Sequence, residues 1–198
     1  EVRYWANFNG SGDNASAINA MHLSGTKLYI GGAFTKIGGL FVSNGIAEYD
    51  VLTGLWTTIS SVNPSFICSC ITSIGNDVYF SGYSDVYKYS GGVVTLIGTF
   101  TESGGAGQIY GITTDGTDIF VTGIIDTETT QSVGGLSYVA KYTVGTDTWS
   151  ALGAGLPKFG FAAIKYGSAI VVTGGLNGGA DTGFVYSWNG AAWTILVD

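Results

Sequence analysis

A four-fold internal repeat limits what this chain of 198 residues can fold into. Four apolar segments each follow a turn sequence and each end in a small residue and a glycine: Leu28–Gly32, Val78–Gly82, Ile119–Gly123 and Ile170–Gly174. The closing glycines lie roughly 40 to 50 residues apart. Such a period indicates that one supersecondary unit is used four times.

Each repeat contains three more strand-like runs around its glycine segment. The first runs are Ile18–Leu23, Ile67–Ser73, Ile109–Thr114 and Phe161–Lys165. The third runs are Ile46–Asp50, Val86–Ser90, Val139–Thr143 and Val185–Asn189, and the fourth are Trp56–Ile59, Val94–Ile97, Trp149–Leu152 and Trp193–Leu196. One four-stranded meander cannot bury both of its faces, so neighbouring copies must cover each other. The sequence therefore predicts an all-β fold of repeated four-stranded antiparallel units, a β-propeller or partial propeller, with a β-solenoid as the alternative.

We expect a single domain over residues 1–198, with units at about 9–59, 60–97, 98–152 and 153–198. Residues 1–8 are left over as an orphan strand that resembles a fourth strand, with Tyr4, Trp5 and Phe8 as its aromatic residues. Three interpretations stay open. The chain is part of a longer propeller, or this strand caps one end, or it adds to a neighbouring subunit as an assembly strand.

Several segments resemble the kelch-like repeats of galactose-oxidase-central-domain-type propellers, which are common in secreted and surface proteins. The resemblance rests on Trp149–Gly155, Leu28–Thr35, Gly38-Gly39 and Asn44–Asp50. It implies a propeller fold but brings no active site, because copper oxidation needs several His and Tyr ligands and His22 is the only histidine. Sialidase chemistry needs an arginine cluster for the substrate carboxylate, and Arg3 is the only arginine.

The charge content excludes two classes of partner. Charged residues make up 11% of the chain and the formal net charge is −7. Nucleic-acid backbones and anionic membrane surfaces both require clustered Lys and Arg, so we expect neither as a partner. No apolar run is long enough for a membrane helix, so membrane insertion is not expected. A surface this poor in charge favours self-association.

We expect the loops after each second strand and between repeats to emerge at one end of the sheets, where a glycan or protein ligand could bind. Candidate ligand residues in these loops are the aromatic Phe41, Tyr83 and Tyr138 and the acidic Asp126, Glu128 and Asp181. Paired carboxylates such as Asp126 and Glu128 can hold calcium or hydrolyse glycosides, but no motif supports either use, and solvated loop charges are the default. No cofactor is predicted, with calcium as a weak alternative.

Neither His22 nor the two cysteines predicts catalysis. His22 matches Thr72, Thr113 and Ile164 in the other repeats, which favours a structural role. Cys68 and Cys70 lie two apart on a strand and match small or apolar core residues, so we expect reduced core thiols rather than a disulfide or a zinc site. The chain is therefore predicted not to be an enzyme.

Asn9 and Asn14 each begin an N-glycosylation sequon in one connector. They matter only if the chain is exported through a glycosylating pathway. The resemblance to repeats of secreted and surface proteins implies an extracellular, cell-surface or virion-surface location. Our functional expectation is a non-catalytic structural protein that acts through self-assembly, with strand addition by residues 1–8 as one route. The alternative is a lectin-like propeller that binds a glycan or a protein through its loops.

Overall fold

A computed structural model of the protein describes residues 17–37, 40–41, 45–59, 66–175 and 183–197, and in these ranges the ordered elements are all β-strands. The first sheet has the order β1 (Ala17–Ser24), β2 (Lys27–Ala33), β5 (Ile46–Asp50) and β6 (Leu55–Thr58). Between β2 and β5 lies a separate two-stranded pair, β3 (Lys36–Ile37) and β4 (Leu40–Phe41).

The second sheet contains the meander β7 (Cys70–Ile74), β8 (Asp77–Ser81), β9 (Asp85–Ser90) and β10 (Val93–Glu102), extended by β11 (Gly105–Ala106). The third has the order β12 (Gln108–Thr114), β13 (Ile119–Ile124), β15 (Val139–Thr143) and β16 (Thr148–Ala151). The short strand β14 (Thr127–Glu128) pairs with β10. The fourth sheet is β17 (Phe159–Tyr166), β18 (Ala169–Gly175), β19 (Phe184–Trp188) and β20 (Trp193–Val197). The predicted fold class, repeated four-stranded antiparallel units, is confirmed.

The chain divides into two compact units: residues 1–83 with 88–95, and residues 84–87 with 96–198. Within the first unit, Ile30, Phe34, Ile37 and Ala47 form an apolar cluster against Leu28 and Trp56. Within the second unit, the third and fourth sheets share a core that includes Phe120, Val139, Leu152, Ala163 and Val172. The described ranges contain no helix capable of crossing a membrane.

A β-bulge explains the closing glycine in the first, third and fourth repeats, whereas a Cβ on Gly82 in the second would meet the Phe66 ring. The pairing of first and second strands shifts register between Ile18 and Ala20, between Ile109 and Gly111, and between Gly160 and Ala162. A Cβ on Gly123 would lie 2.0 Å from the carbonyl oxygen of Gln108, and a Cβ on Gly174 would lie 2.0 Å from that of Phe159. The bulge therefore brings backbone so close that only glycine fits.

Two strands differ from the sequence-based expectation. The predicted first strand Ile67–Ser73 begins only at Cys70, because the Cys68 amide donates to the carbonyl oxygen of Gly32 in the first sheet. The predicted strand Val94–Ile97 continues to Glu102, since Phe100 and Thr101 also pair with β14. The loops expected after the second strands of the first and third repeats, and between the second and third repeats, therefore contain the short paired strands β3, β4, β14 and β11.

Candidate functional site

The predicted ligand residues do not form one site in the described structure. Tyr83 is exposed, whereas Tyr138 is half-buried with its ring centroid 5.1 Å from that of Phe159. Phe41 lies in β4, paired with Lys36. Asp181, the sequon residues and the assembly-strand residues lie outside the described residues: Asn9, Asn14, Tyr4, Trp5 and Phe8.

Glu128 differs most from the expectation of a solvated loop carboxylate, because its side chain is 0% exposed. Its Oε1 accepts hydrogen bonds from the Thr99 amide at 3.2 Å, from the Thr130 amide at 2.8 Å and from the Thr130 hydroxyl. Its Oε2 accepts from the Gln131 amide at 2.9 Å. Glu128 therefore orders the turn that follows it, and its oxygens do not face solvent.

Asp126 also has an internal partner, since its Oδ2 accepts from the Ser103 amide at 2.8 Å. In the described ranges, no group of three or more His, Cys, Asp or Glu side chains could hold a metal ion. The Asp126 and Glu128 carboxylates thus already accept hydrogen bonds from backbone amides. Calcium binding elsewhere stays a prediction.

The histidine and the cysteines have structural surroundings. His22 is half-buried, its Nε2 lies 2.8 Å from the Ser73 hydroxyl, and burial lowers its pKa from 6.5. Cys68 and Cys70 are free thiols, and Cys68 is fully buried, which raises its pKa. A buried thiol with a raised pKa is a poor nucleophile.

The repeat tryptophans occupy matching surroundings, as predicted. Each Trp lies opposite an aromatic residue of the third strand, in the pairs Tyr49–Trp56, Tyr142–Trp149 and Trp188–Trp193. The ring centroids are 4.7, 5.1 and 5.2 Å apart, and the planes are tilted by 44° to 50°. The last two also reach the preceding repeat: Trp149 Nε1 donates to the Ile97 carbonyl and Trp193 Nε1 to the Leu152 carbonyl.

One of these aromatic pairs lines an open cleft of about 510 Å³ in the second unit. Its wall includes Tyr186, Trp188 and Trp193 together with the segment 153–157. In the third repeat the matching Trp149 is covered by Phe100, whose ring centroid lies 4.9 Å away. In the fourth repeat Leu156 takes the place of Phe100, and Trp193 stays half-buried.

The equivalence of Phe100 and Leu156 follows from the backbone. The Phe100 amide donates to the Ser84 carbonyl and the Leu156 amide to the Ser137 carbonyl, both at 2.8 Å. Trp193 begins a fourth strand, as the repeat predicts, but the cleft could not be predicted because it depends on the turn at 153–155.

One face of the first sheet and one face of the fourth sheet are two further candidate surfaces, each within its own unit. We call the face of the first sheet that carries Ile18, Met21 and Leu23 the leading face. We call the face of the fourth sheet that carries Ile164, Tyr166 and Thr173 the trailing face. Ile18, Met21, Leu23, Ile164 and Tyr166 are all exposed large hydrophobic residues.

The matching positions of the other sheets are buried. Met21 is 66% exposed, whereas Ile71, Ile112 and Ala163 at the same register are 9% exposed. Ile164 is 59% exposed, whereas Thr72 and Thr113 are 6% and 9% exposed. The Met21 position is therefore exposed in the first sheet alone, and the Ile164 position is exposed in the fourth sheet, half-buried at His22 and buried in the other two.

Comparison with known proteins gives structural matches alone. No protein-family model matches the sequence, and no curated protein matches it. The crystal structure of the computationally designed Ika4 protein matches with a TM-score of 0.58 and 15% identity, over 91% of this chain and 94% of that chain.

Two crystal structures of the extracellular domain of BT4673 from B. thetaiotaomicron also match. One names the protein a putative hybrid two component system and has a TM-score of 0.63, 14% identity and 96% coverage of this chain. The other names it a putative one component system, with a TM-score of 0.61, 13% identity and 95% coverage. The chain spans 23% of the length of each. At these identities the likeness shows the fold alone.

Proposed function

We propose that this protein is a non-catalytic structural protein of an extracellular, cell or virion surface, and that it acts through self-association. One observation carries the proposal. Met21 of the first sheet and Ile164 of the fourth are exposed, although their repeat equivalents are buried or, at His22, half-buried. Exposed apolar groups of this kind mark contact surfaces, because covering them removes apolar area from water.

The non-catalytic part of the proposal is supported by the surroundings of the titratable groups. His22 bonds to Ser73, Cys68 is buried, and Glu128 is occupied by amides. The extracellular part is supported by the low charge content and by the extracellular domain among the structural neighbours. The kelch-like kinship belongs to the same proposal and is supported by four repeats of a four-stranded meander.

Sedimentation velocity of the purified chain tests self-association. The concentration series should run from about 1 μM to about 100 μM, which spans micromolar dissociation constants. We expect the weight-average mass to rise above that of the 20.5 kDa monomer. A monomer at every concentration would remove the proposal. Deletion of residues 1–8 then tests the predicted assembly strand, since assembly that survives the deletion excludes that route.

The aromatic cleft favours a second candidate function, glycan binding. Indole and phenol rings stack on the apolar faces of sugar rings, and Tyr186, Trp188 and Trp193 lie together at the cleft. Titration with simple hexoses, followed by tryptophan fluorescence, tests this candidate. We expect a saturable change that is lost in Trp188→Ala and kept in Trp56→Phe. A flat titration in the native chain excludes it.

A further inference from the structure

We propose that two copies of this chain associate head to tail, with the leading face of one copy on the trailing face of the other. The inference rests on the proposed self-association and specifies its geometry. It follows from the way in which neighbouring sheets meet inside the chain.

Two close contacts between neighbouring sheets, which we call internal joints, use the same pair of repeat positions. In the first unit, a Cβ built on Gly31 would lie 2.8 Å from the Cβ of Cys68. In the second unit, a Cβ built on Gly160 would lie 2.8 Å from the Cβ of Thr122. Gly31 and Thr122 are equivalent, because each directly precedes the closing glycine of its second strand. Cys68 and Gly160 are equivalent as well, because each lies two residues before the first-strand residue that pairs with this position.

Among the described residues, the matching positions of the first and fourth sheets are exposed. On the trailing face the position is Thr173, which is exposed, whereas Thr122 is 0% exposed. On the leading face it is Ile18, which is 41% exposed, whereas Cys68 is 0% exposed. Each terminal sheet therefore presents one half of a joint whose two halves meet inside the chain.

The side chains at the two exposed positions differ from those of the two internal joints, so the contact between copies must be slightly wider. Each internal joint above contains one glycine, and the Ile18–Thr173 pair contains none. Ser81 and Ile109 hold the same two positions in the second and third repeats, and both are almost fully buried. Burial at these positions therefore does not require glycine.

The chemistry of the two faces also fits a contact. The leading-face residues Ile18, Met21 and Leu23 carry no charge, and neither do Ile164, Tyr166 and Thr173 on the trailing face. Their association would bury apolar side chains without desolvating an ion on these faces.

Because a leading face meets a trailing face, the contact is heterologous. Such a contact produces a ring when its rotation closes and a filament when it does not. A ring of two copies contains two such contacts related by a two-fold axis, whereas a dimer built on one face alone would place that face against its own copy.

Disulfide trapping between two single-cysteine variants tests this geometry. Ile18→Cys and Thr173→Cys are prepared separately in a Cys70→Ser background, with buried Cys68 retained, and are then mixed and oxidised. A Cβ built on the glycine of each internal joint lies 2.8 Å from the Cβ opposite, so a contact wider by about 1 Å places two cysteines at disulfide distance. We therefore expect a covalent dimer that contains one copy of each variant. Leu52→Cys, at an exposed position outside both faces, replaces Ile18→Cys in the matched control and should give no dimer.

Charge insertion gives an independent measurement. Met21→Asp and Ile164→Asp should each raise the dissociation constant about tenfold or more, since each buries a carboxylate in the contact. Both side chains are mostly exposed within one chain, so the thermal midpoint of a dilute, monomeric sample should stay unchanged.

The outcomes separate this inference from the proposed function. A mixed covalent dimer together with weakened association in both Asp variants supports head-to-tail contact, whether rings or filaments form. Self-association without the mixed dimer, or with dimers of Ile18→Cys alone, overturns the head-to-tail contact and leaves self-association standing. A monomer at every concentration overturns both.

Discussion

The indole N–H of Trp149 donates to the carbonyl oxygen of Ile97 at 2.6 Å, which links the fourth strand of one repeat to that of the next. Trp193 makes the same bond to Leu152 at 3.0 Å. In both cases a glycine follows the acceptor residue, and a Cβ on Gly98 would lie 2.7 Å from the Trp149 Nε1. The Trp of one repeat and the glycine of the preceding repeat are therefore one packing unit.

Replacing Trp149 by Phe tests the bond separately from most of the ring packing. The variant leaves the buried Ile97 carbonyl without its indole donor, so we expect a loss of about 1–3 kcal/mol in the free energy of unfolding. Trp193→Phe, at a half-buried site, should cost less. Urea denaturation of both variants gives the comparison. Equal losses of unfolding free energy in the two variants would contradict the expectation that the buried hydrogen bond contributes more than the half-buried one.

The closing glycine of each repeat gives a second test. Gly123→Ala puts a Cβ 2.0 Å from the Gln108 carbonyl oxygen, so the bulge must shift at a cost of about 1–3 kcal/mol. Gly145→Ala is the matched control, because no atom lies within 4 Å of its added Cβ. Thermal unfolding should separate the two variants clearly. A Gly123→Ala protein as stable as the control would show that the bulge is not rigid.

Much of the fold could be predicted because glycine and aromatic residues recur where the backbone requires them. Gly32, Gly123 and Gly174 mark the bulge, and Trp56, Trp149 and Trp193 begin the fourth strands. The late start of β7 could not be predicted, since it depends on a hydrogen bond between Cys68 and Gly32, which are distant in sequence.

The candidate sites were less accessible to sequence reasoning. Glu128 looked like a loop charge because one of its donors, the Thr99 amide, lies 29 residues away. The two Thr and the Gln that follow it are a local signal for a carboxylate that caps its own turn. The exposed faces could not be predicted for another reason. Met21 matches buried residues in the other three repeats, Ile164 matches two buried threonines and half-buried His22, and exposure depends on whether a neighbour covers the face.

Glu128 provides a third prediction. Glu128→Ala removes the acceptor of three backbone amides, so we expect a loss of about 3 kcal/mol and faster hydrogen exchange at residues 128–131. Glu102→Ala, whose acceptor Oε1 serves an exposed hydroxyl of Ser103, should have little effect. Unchanged exchange in Glu128→Ala would mean that the turn is held by other contacts.

The pH dependence of stability should report on His22. Burial lowers the pKa of His22 below 6.5, so the unfolded chain binds this proton before the folded chain does as the pH falls. The contribution of neutral His22 is therefore complete above pH 6.5 and is lost as the pH falls through and below that value. It is the only histidine, and carboxylates titrate mainly below this range.

His22→Thr introduces the residue found at the same position in the second and third repeats, where Thr72 and Thr113 are buried. Because Thr does not titrate, we expect the variant's thermal midpoint to change less than that of the native chain between about pH 7 and about pH 5. Differential scanning calorimetry across this range measures the difference, with the concentration fixed so that self-association does not contribute. The imidazole of His22 is in hydrogen-bond contact with the Ser73 hydroxyl, so Ser73→Ala serves as a second variant that keeps the titrating group. If native and His22→Thr proteins show the same pH profile, the imidazole has similar proton affinity in the folded and unfolded chains, and its burial has no consequence for stability.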